Sequence, residues 1–248
     1  MAKGFDIIGN IAILPLFTEN AKEIAKEILS EHKNIKSVYL RQEKIKGRLR
    51  KQKFKFLTGE RTRETIHKEN GCFMKLDIME TYFSPRLSND RLEIARKVKR
   101  GEKVLVMFAG IGPYALVISK NSKAKEIYSV ELNRKASGYA EENVGLNKLY
   151  NVKAIQGDVK KIIPKLKIKF DRIIMARPQL KETFLDTALK ASKKGTLIHY
   201  HDFLWQEEIH ERISSYKKTY KKLKIIGWKK AGDISPRRFR IRIDFKVI

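Results

Sequence analysis

The chain of 248 residues has little of several things that would otherwise set its class. Its single cysteine, Cys72, excludes an internal disulfide and any cysteine-cluster zinc site, and it fits a reducing compartment. Apolar runs are short: Val104 to Ala109 is among the longest, against the roughly 20 residues a membrane helix needs. The opening MAKGFDIIGN lacks the long apolar core of a signal peptide. A soluble, cytoplasmic protein is therefore expected. With no heptad pattern or long apolar edge, a monomer without an obligatory protein partner is expected too. Internal repeats, low-complexity tracts and Pro/Gly linkers are also missing. Acidic residues are scarce: 28 Asp+Glu face 55 Lys+Arg, a formal charge of +27 at pH 7. Such an excess repels itself and points to a polyanion as partner, although a lysine-rich surface selected at high temperature is the plainer alternative.

The distribution of charge favours the polyanion. From Arg41 to Lys68 there are eleven Lys/Arg (41, 44, 46, 48, 50, 51, 53, 55, 61, 63, 68) against three Glu. A second cluster, Lys217 to Lys246, holds twelve bases against Asp233 and Asp244. Glu131 to Asp158, between them, is nearly balanced, as suits a stretch facing a small molecule.

The C-terminal two thirds alternate short apolar strands with amphipathic helices, the pattern of a parallel sheet covered on both faces. Strands are expected at Lys103 to Phe108, Ile127 to Leu132, Val152 to Gln156, Asp171 to Ala176 and Thr196 to His201. Helices are expected at Pro113 to Lys120, Arg134 to Leu146, Val159 to Leu166, Leu180 to Ala191 and Gln206 to Tyr220. The close is different: Leu223 to Trp228, then Phe239 to Val247, where apolar and mostly charged residues alternate as in a strand with one face in water. Upstream, a strand over Phe5 to Leu16, a helix over Glu19 to His32 and a strand over Ile35 to Leu40 form a small α/β module. The reading is thus a small basic module, 1–70, that positions RNA, followed by an α/β domain, 71–248.

Directly after the first strand of that domain comes Phe108-Ala109-Gly110-Ile111-Gly112-Pro113-Tyr114. Glycines let the backbone approach a ligand, and the helix that follows offers unsatisfied N–H groups. Glu131 ends the next strand, placed to accept from both ribose hydroxyls; Gly157-Asp158 ends the third, placed to receive an adenine amino group. A nicotinamide or flavin dinucleotide is the rival ligand, but Gly-x-Gly-x-x-Ala with a closing antiparallel strand pair favours S-adenosylmethionine. His199, His201 and His210 have no acidic partner at ligand spacing, so no metal site is expected.

Glu69-Asn70-Gly71-Cys72, Tyr82-Phe83-Ser84-Pro85-Arg86-Leu87, Met107 to Pro113 and Asp171 to Met175 together resemble the archaeal and eukaryotic tRNA (guanine-37-N1)-methyltransferase family and its wyosine-pathway paralogues. The resemblance runs from about Asp6 to the C-terminus, and the chain begins where members with an N-terminal tRNA-elbow domain have already passed it. It implies a class I methyltransferase fold, with a mostly parallel seven-stranded sheet whose last strand is antiparallel. It also implies methyl transfer to N1 of the guanosine 3′ of the anticodon in tRNA. Guanine N1 carries a proton, so a base near N1 and a cation near O6 are required. Asp90 matches the family's acid, one methylene shorter than the usual Glu, and Arg50 matches the arginine facing O6. The implied cofactor set is Phe83, Arg86, Phe108, Gly110, Ile111, Gly112, Glu131, Leu132, Asp158 and Val159. The sequence departs at Ala176-Arg177-Pro178, where methylating members carry an Asn that holds the base; Arg177 is the candidate substitute. A paralogue that transfers the cofactor's aminocarboxypropyl arm also departs there, and another methylates carbon 7 of a tricyclic wyosine intermediate. A non-catalytic RNA-binding protein with a relic fold is the alternative from another class.

Overall fold

The computed structural model describes residues 4–43, 47–177 and 179–248. Lys44 and Lys46 of the first basic cluster and Pro178 of the departing motif lie outside the described residues. The chain opens with β1 (Asp6–Ile8), β2 (Ile11–Leu14), α1 (Ala21–Glu31), β3 (Ser37–Arg41) and β4 (Phe54–Gly59) in one sheet of order β1-β2-β3-β4. The single strand expected over Phe5 to Leu16 is instead a hairpin turning at Gly9-Asn10. Gly9 has φ +56°, and a Cβ there would lie 2.0 Å from Thr65 Oγ1. The Gly-Asn pair was the available turn signal. Strands β2 and β3 run parallel across α1, whose Ala25 and Ile28 pack on Ala12, Leu14 and Val38.

A hairpin the sequence did not suggest, β5 (Glu64–Glu69) and β6 (Cys72–Asp77), comes next. The expected boundary near residue 70 falls in its turn. Cys72, Met74 and Leu76 pack in one core with Ile8, Ile11 and Tyr39 upstream and with Ile94, Val104 and Ile118 downstream. The two modules thus share apolar contacts.

The second module comprises α2 (Ser88–Lys97), β7 (Lys103–Met107), α3 (Pro113–Asn121), β8 (Glu126–Glu131), α4 (Arg134–Leu146), β9 (Val152–Gln156), α5 (Val159–Leu166), β10 (Phe170–Met175), α6 (Leu185–Lys190), β11 (Ser192–Trp205), α7 (Ile209–Thr219), β12 (Leu223–Ser235) and β13 (Arg238–Val247). Sheet order is β12-β13-β11-β10-β7-β8-β9, with β11 to β9 parallel and β13 antiparallel to both neighbours. This is the expected class I methyltransferase sheet. One expectation fails within it. The charged face of β13 is not in water: Arg240 and Arg242 are 5% and 1% exposed, with Arg242 bonded to α2. Among the described residues no helix is long and apolar enough to cross a membrane.

Candidate functional site

Strand order reverses beside β7, where β8 lies on one side and β10 on the other, and a crevice opens at their carboxyl ends. Phe108 leaves β7 at φ +60°, and the loop enters α3 through Gly112 at φ +87°, a conformation that strains any other residue. A Cβ on Gly112 would also press on Ala140 Cβ at 3.4 Å. The Gly110 amide donates to Glu131 Oε2 at 2.7 Å and the Asn133 amide to Oε1 at 2.7 Å. Burial pushes the Glu131 carboxyl above its usual range, and the amides of Asn133, Gly110 and Leu132 oppose it. Asp158 caps α5: Oδ1 accepts the Lys160 amide at 2.9 Å, and Oδ2 accepts Arg48 Nη2 at 2.6 Å.

The resulting cavity encloses about 880 Å³, mouth included. Phe83, Phe108, Gly110, Glu131, Leu132, Asp158 and Val159 all line it, so seven of the ten expected cofactor residues meet there. The Phe108 ring packs edge-on against Phe184 at 5.0 Å. Apolar side chains beside two carboxylates at successive strand ends fit a nucleoside with ribose hydroxyls and an exocyclic amine, and so fit S-adenosylmethionine. Ile111 and Gly112 stand behind the loop: Ile111 is fully buried and its carbonyl accepts from Asn143. Arg86 lies elsewhere, lining an adjoining chamber and donating to Asp6 Oδ1 of β1 at 2.8 Å. No group of metal-ligating side chains occurs among the described residues.

The three residues expected to do chemistry separate. Arg50 lines both the cofactor cavity and the adjoining chamber, its Cζ 3.4 Å from the centre of the Tyr82 ring. Asp90 lines neither. It is 4% exposed and bonded to Tyr114 Oη (2.7 Å), His201 Nε2 (3.1 Å) and Arg242 Nη1 (2.6 Å). Burial works against its charge, but His201, Arg242 and Tyr114 outweigh it and hold the carboxyl far below its usual range. A carboxylate so held is a poor proton acceptor. Arg177 also turns away. It is 4% exposed, donates to Asp202 Oδ1 at 2.6 Å and to the Leu180 carbonyl at 2.8 Å, and lies over the Tyr200 ring. Successive residues of an extended segment face opposite sides, so Ala176 lines the cavity and Arg177 does not. No amide or guanidinium from this motif replaces the family's Asn there.

Three residues at the site escaped the sequence reading. Tyr82 and Arg240 each line both cavities, and Asn133 Nδ2 bridges the carbonyls of Leu49 (3.1 Å) and Glu80 (2.8 Å) while its Oδ1 caps α4. The Asn-Arg start of α4 was a legible cap signal; nothing local marks Arg240.

Two family models match the chain: the TRM5/TYW2 methyltransferase domain over residues 65–234 and the TYW2 N-terminal domain over residues 1–62. The chain is 39% identical to the tRNA (guanine(37)-N(1))-methyltransferase Trm5b of Pyrococcus abyssi, over 98% of this chain and 74% of that protein. The crystal structure of that Trm5b is similar with a TM-score of 0.86, covering 99% and 75% of the two chains. Identity is 34% to the tRNA (guanine(37)-N(1))/4-demethylwyosine(37)-methyltransferase Taw22 of Nanoarchaeum equitans, over 98% of this chain and 99% of that one. The structure of Methanocaldococcus jannaschii TYW2 in complex with AdoMet is similar with a TM-score of 0.73 at 28% identity, covering 99% and 100% of the two chains.

Proposed function

The chain belongs to the TRM5/TYW2 methyltransferase family, and from that premise we propose that it transfers the methyl group of S-adenosylmethionine to N1 of guanosine 37 in tRNA, beside the anticodon. One observation carries the reading. The cavity at the ends of β7 to β9, with Glu131 and Asp158, shares wall residues, Arg50, Tyr82 and Arg240 among them, with a neighbouring chamber rimmed also by Arg41, Arg86 and Arg238. A nucleoside-shaped slot thus adjoins a cationic recess at the junction of the two modules, as a polyanionic RNA presenting a flipped base requires.

When bound, S-adenosylmethionine supplies an electrophilic methyl group on a sulfonium. The protein's part is to orient and to manage charge. Glu131 accepts from ribose hydroxyls, Asp158 from the exocyclic amine, and Phe108, Leu132 and Val159 exclude water from the base. The Gly110 and Asn133 amides hold Glu131 in place. Arg50 faces O6 and stabilises the negative charge that develops as N1 loses its proton. The chain acts as a cytoplasmic monomer on this reading, which its charge of +27 supports by opposing self-association.

A second reading rests on Ala176. The cavity carries a methyl group where methylating members carry an amide, which leaves a wider base slot. The 4-demethylwyosine on which Taw22 acts by its name is therefore a second acceptor, at the carbon 7 that the family resemblance implies. Mass spectrometry of nucleosides from guanosine-37 tRNA treated with protein and S-adenosylmethionine tests both. One added methyl on guanosine 37 is expected. A methyl only on a tricyclic precursor replaces the first reading with the second. An aminocarboxypropyl adduct sinks both, and an absence of any adduct or cofactor binding leaves an RNA-binding protein.

A further inference from the structure

With Asp90 bonded to Tyr114, His201 and Arg242, the site lacks its expected base. The titratable groups other than arginine on the wall of the cofactor cavity are Tyr82, Tyr114, Glu131 and Asp158. Tyr114 is committed as a donor to Asp90, and burial followed by the Asp90 charge drives its phenol far above the usual range. Both Glu131 oxygens accept backbone amides at the ribose end, and Asp158 is shared between Lys160 and Arg48 at the adenine end. The adjoining chamber adds Asp6, paired with Arg86, and Asp233, which is exposed. Tyr82 remains, and its position is distinctive. It is the tyrosine that lines both the cofactor cavity and the neighbouring arginine-rimmed chamber.

We propose that Tyr82 is the proton acceptor for guanine N1, with the Arg50 guanidinium over its ring and Arg240 beside it in the walls of the same two cavities. This assignment rests on the N1-methylation reading above. The Arg50 guanidinium lies 3.4 Å from the Tyr82 ring centre. Arg240 is 5% exposed, stacks over Phe203 at 4.7 Å and has no carboxylate partner among the described residues. The other charges facing the phenol are Arg41 from β3 and, through Arg50, Glu131 from β8. Burial alone would raise the phenol above its usual value near 10; the charges of Arg240 and Arg50, with hydrogen bonds from Ser84 and Arg50, bring it down to about 8. Tyrosinate is then a substantial minority species at neutral pH, without any carboxylate.

The step balances. The N1–H proton passes to the Tyr82 oxygen, and the N1 electron pair forms the new bond to the methyl carbon. The methyl–sulfur bond breaks and its pair stays on sulfur. Tyr82 is left neutral and returns its proton to water as product departs.

The test uses the full chain, wild type and Tyr82→Phe. Difference ultraviolet titration, without tRNA or cofactor, is expected to reveal one tyrosinate forming near pH 8 in the wild type and absent from the variant. Single-turnover methylation of guanosine-37 tRNA is expected to fall by about 100-fold or more in the variant, with cofactor affinity within a few-fold of wild type. The wild-type rate should rise with pH and level off above about 8. Fluorotyrosine at position 82, a more acidic phenol, should move that inflection to lower pH. Absence of the low-pH tyrosinate overturns the assignment, as does a variant within a few-fold of wild-type turnover or an unmoved inflection with fluorotyrosine. If wild type makes no N1-methylguanosine while the tyrosinate still titrates, it is the N1-methylation reading that has failed, and the base assignment falls with it.

Discussion

Arg240 and Arg242 stand two residues apart on one face of β13, both buried, and their surroundings could hardly differ more. Arg242 touches three carboxylates: Asp90 at 2.6 Å, Glu93 at 2.6 Å and Asp244 at 3.0 Å. The chain of contacts continues from Asp244 to His199 and from His199 to Arg172 and Glu102. Arginine can only donate, so His199 Nε2 is an acceptor and Nδ1 carries the hydrogen, a neutral ring that burial favours. Arg240, by contrast, meets an aromatic face and open space. Where a buried guanidinium is given acids the charge is structural; where it is given none, the charge is left to act on the groups that line the cavity. The same contrast separates Asp90 from Tyr82: the stronger acid is locked in the closed network, and the weaker one faces the cavity.

The comparison can be broken most severely on the closed side. Arg242→Met leaves Asp90 buried without its arginine and takes one cation from each of Glu93 and Asp244, and chemical denaturation is expected to register a loss of about 3–5 kcal/mol. Protons should do the same more gradually. Glu93 and Asp244 are each held down to about 2, and Asp90 lower still; for all three, burial is outweighed by bonds to cations and donors. Carboxyls depressed in the folded state stabilise it above their unfolded values near 4. That stability is lost as pH falls from about 4 through 2, so acid unfolding should be steep there and flattened in Arg242→Met. On the open side the expected loss is one of function. Arg240→Met should lower single-turnover methylation by about 10- to 100-fold while unfolding free energy stays within about 1 kcal/mol. A stability loss as large as that of Arg242→Met would erase the contrast. The smallest effect belongs to Arg48, whose bond to Asp158 is half in water. Arg48→Ala should change stability by at most about 1 kcal/mol and lower the salt slope of tRNA affinity by about one, read from binding at several salt concentrations.

Much of this was legible in the chain and some was not, for geometric reasons. The glycine loop, Glu131 and Asp158 could be placed because strand ends and helix starts fix backbone and side chain together. The mostly parallel sheet followed from the alternation of elements, and its antiparallel last strand from the closing pair. Asp90 and Arg91 are neighbours, yet a helix turns about 100° per residue. Arg91 therefore lines the cofactor cavity, paired with Glu69, while Asp90 meets β11 and β13. A one-residue difference of that kind has no local signature. Ala176 and Arg177 repeat the lesson on an extended segment. Strand β5, Glu-Thr-Ile-His-Lys-Glu, was missed because half of it is exposed and its polar residues mask the period. The alternation of β13 was visible, but the α2 carboxylates that meet Arg242 lie 149 and 152 residues away in the chain, so its charged face looked like surface.

Asn133 ties the two modules at a place that matters for inheritance. Its amide holds the Leu49 and Glu80 carbonyls, Lys51 reaches Glu80 and Arg48 reaches Asp158. Part of the wall of the cofactor cavity, Arg48, Leu49 and Arg50, is in this way made of chain from the first module. Such a protein is not a cassette: exchanging its first seventy residues for those of a relative is expected to alter cofactor affinity, because that exchange replaces part of the cavity wall.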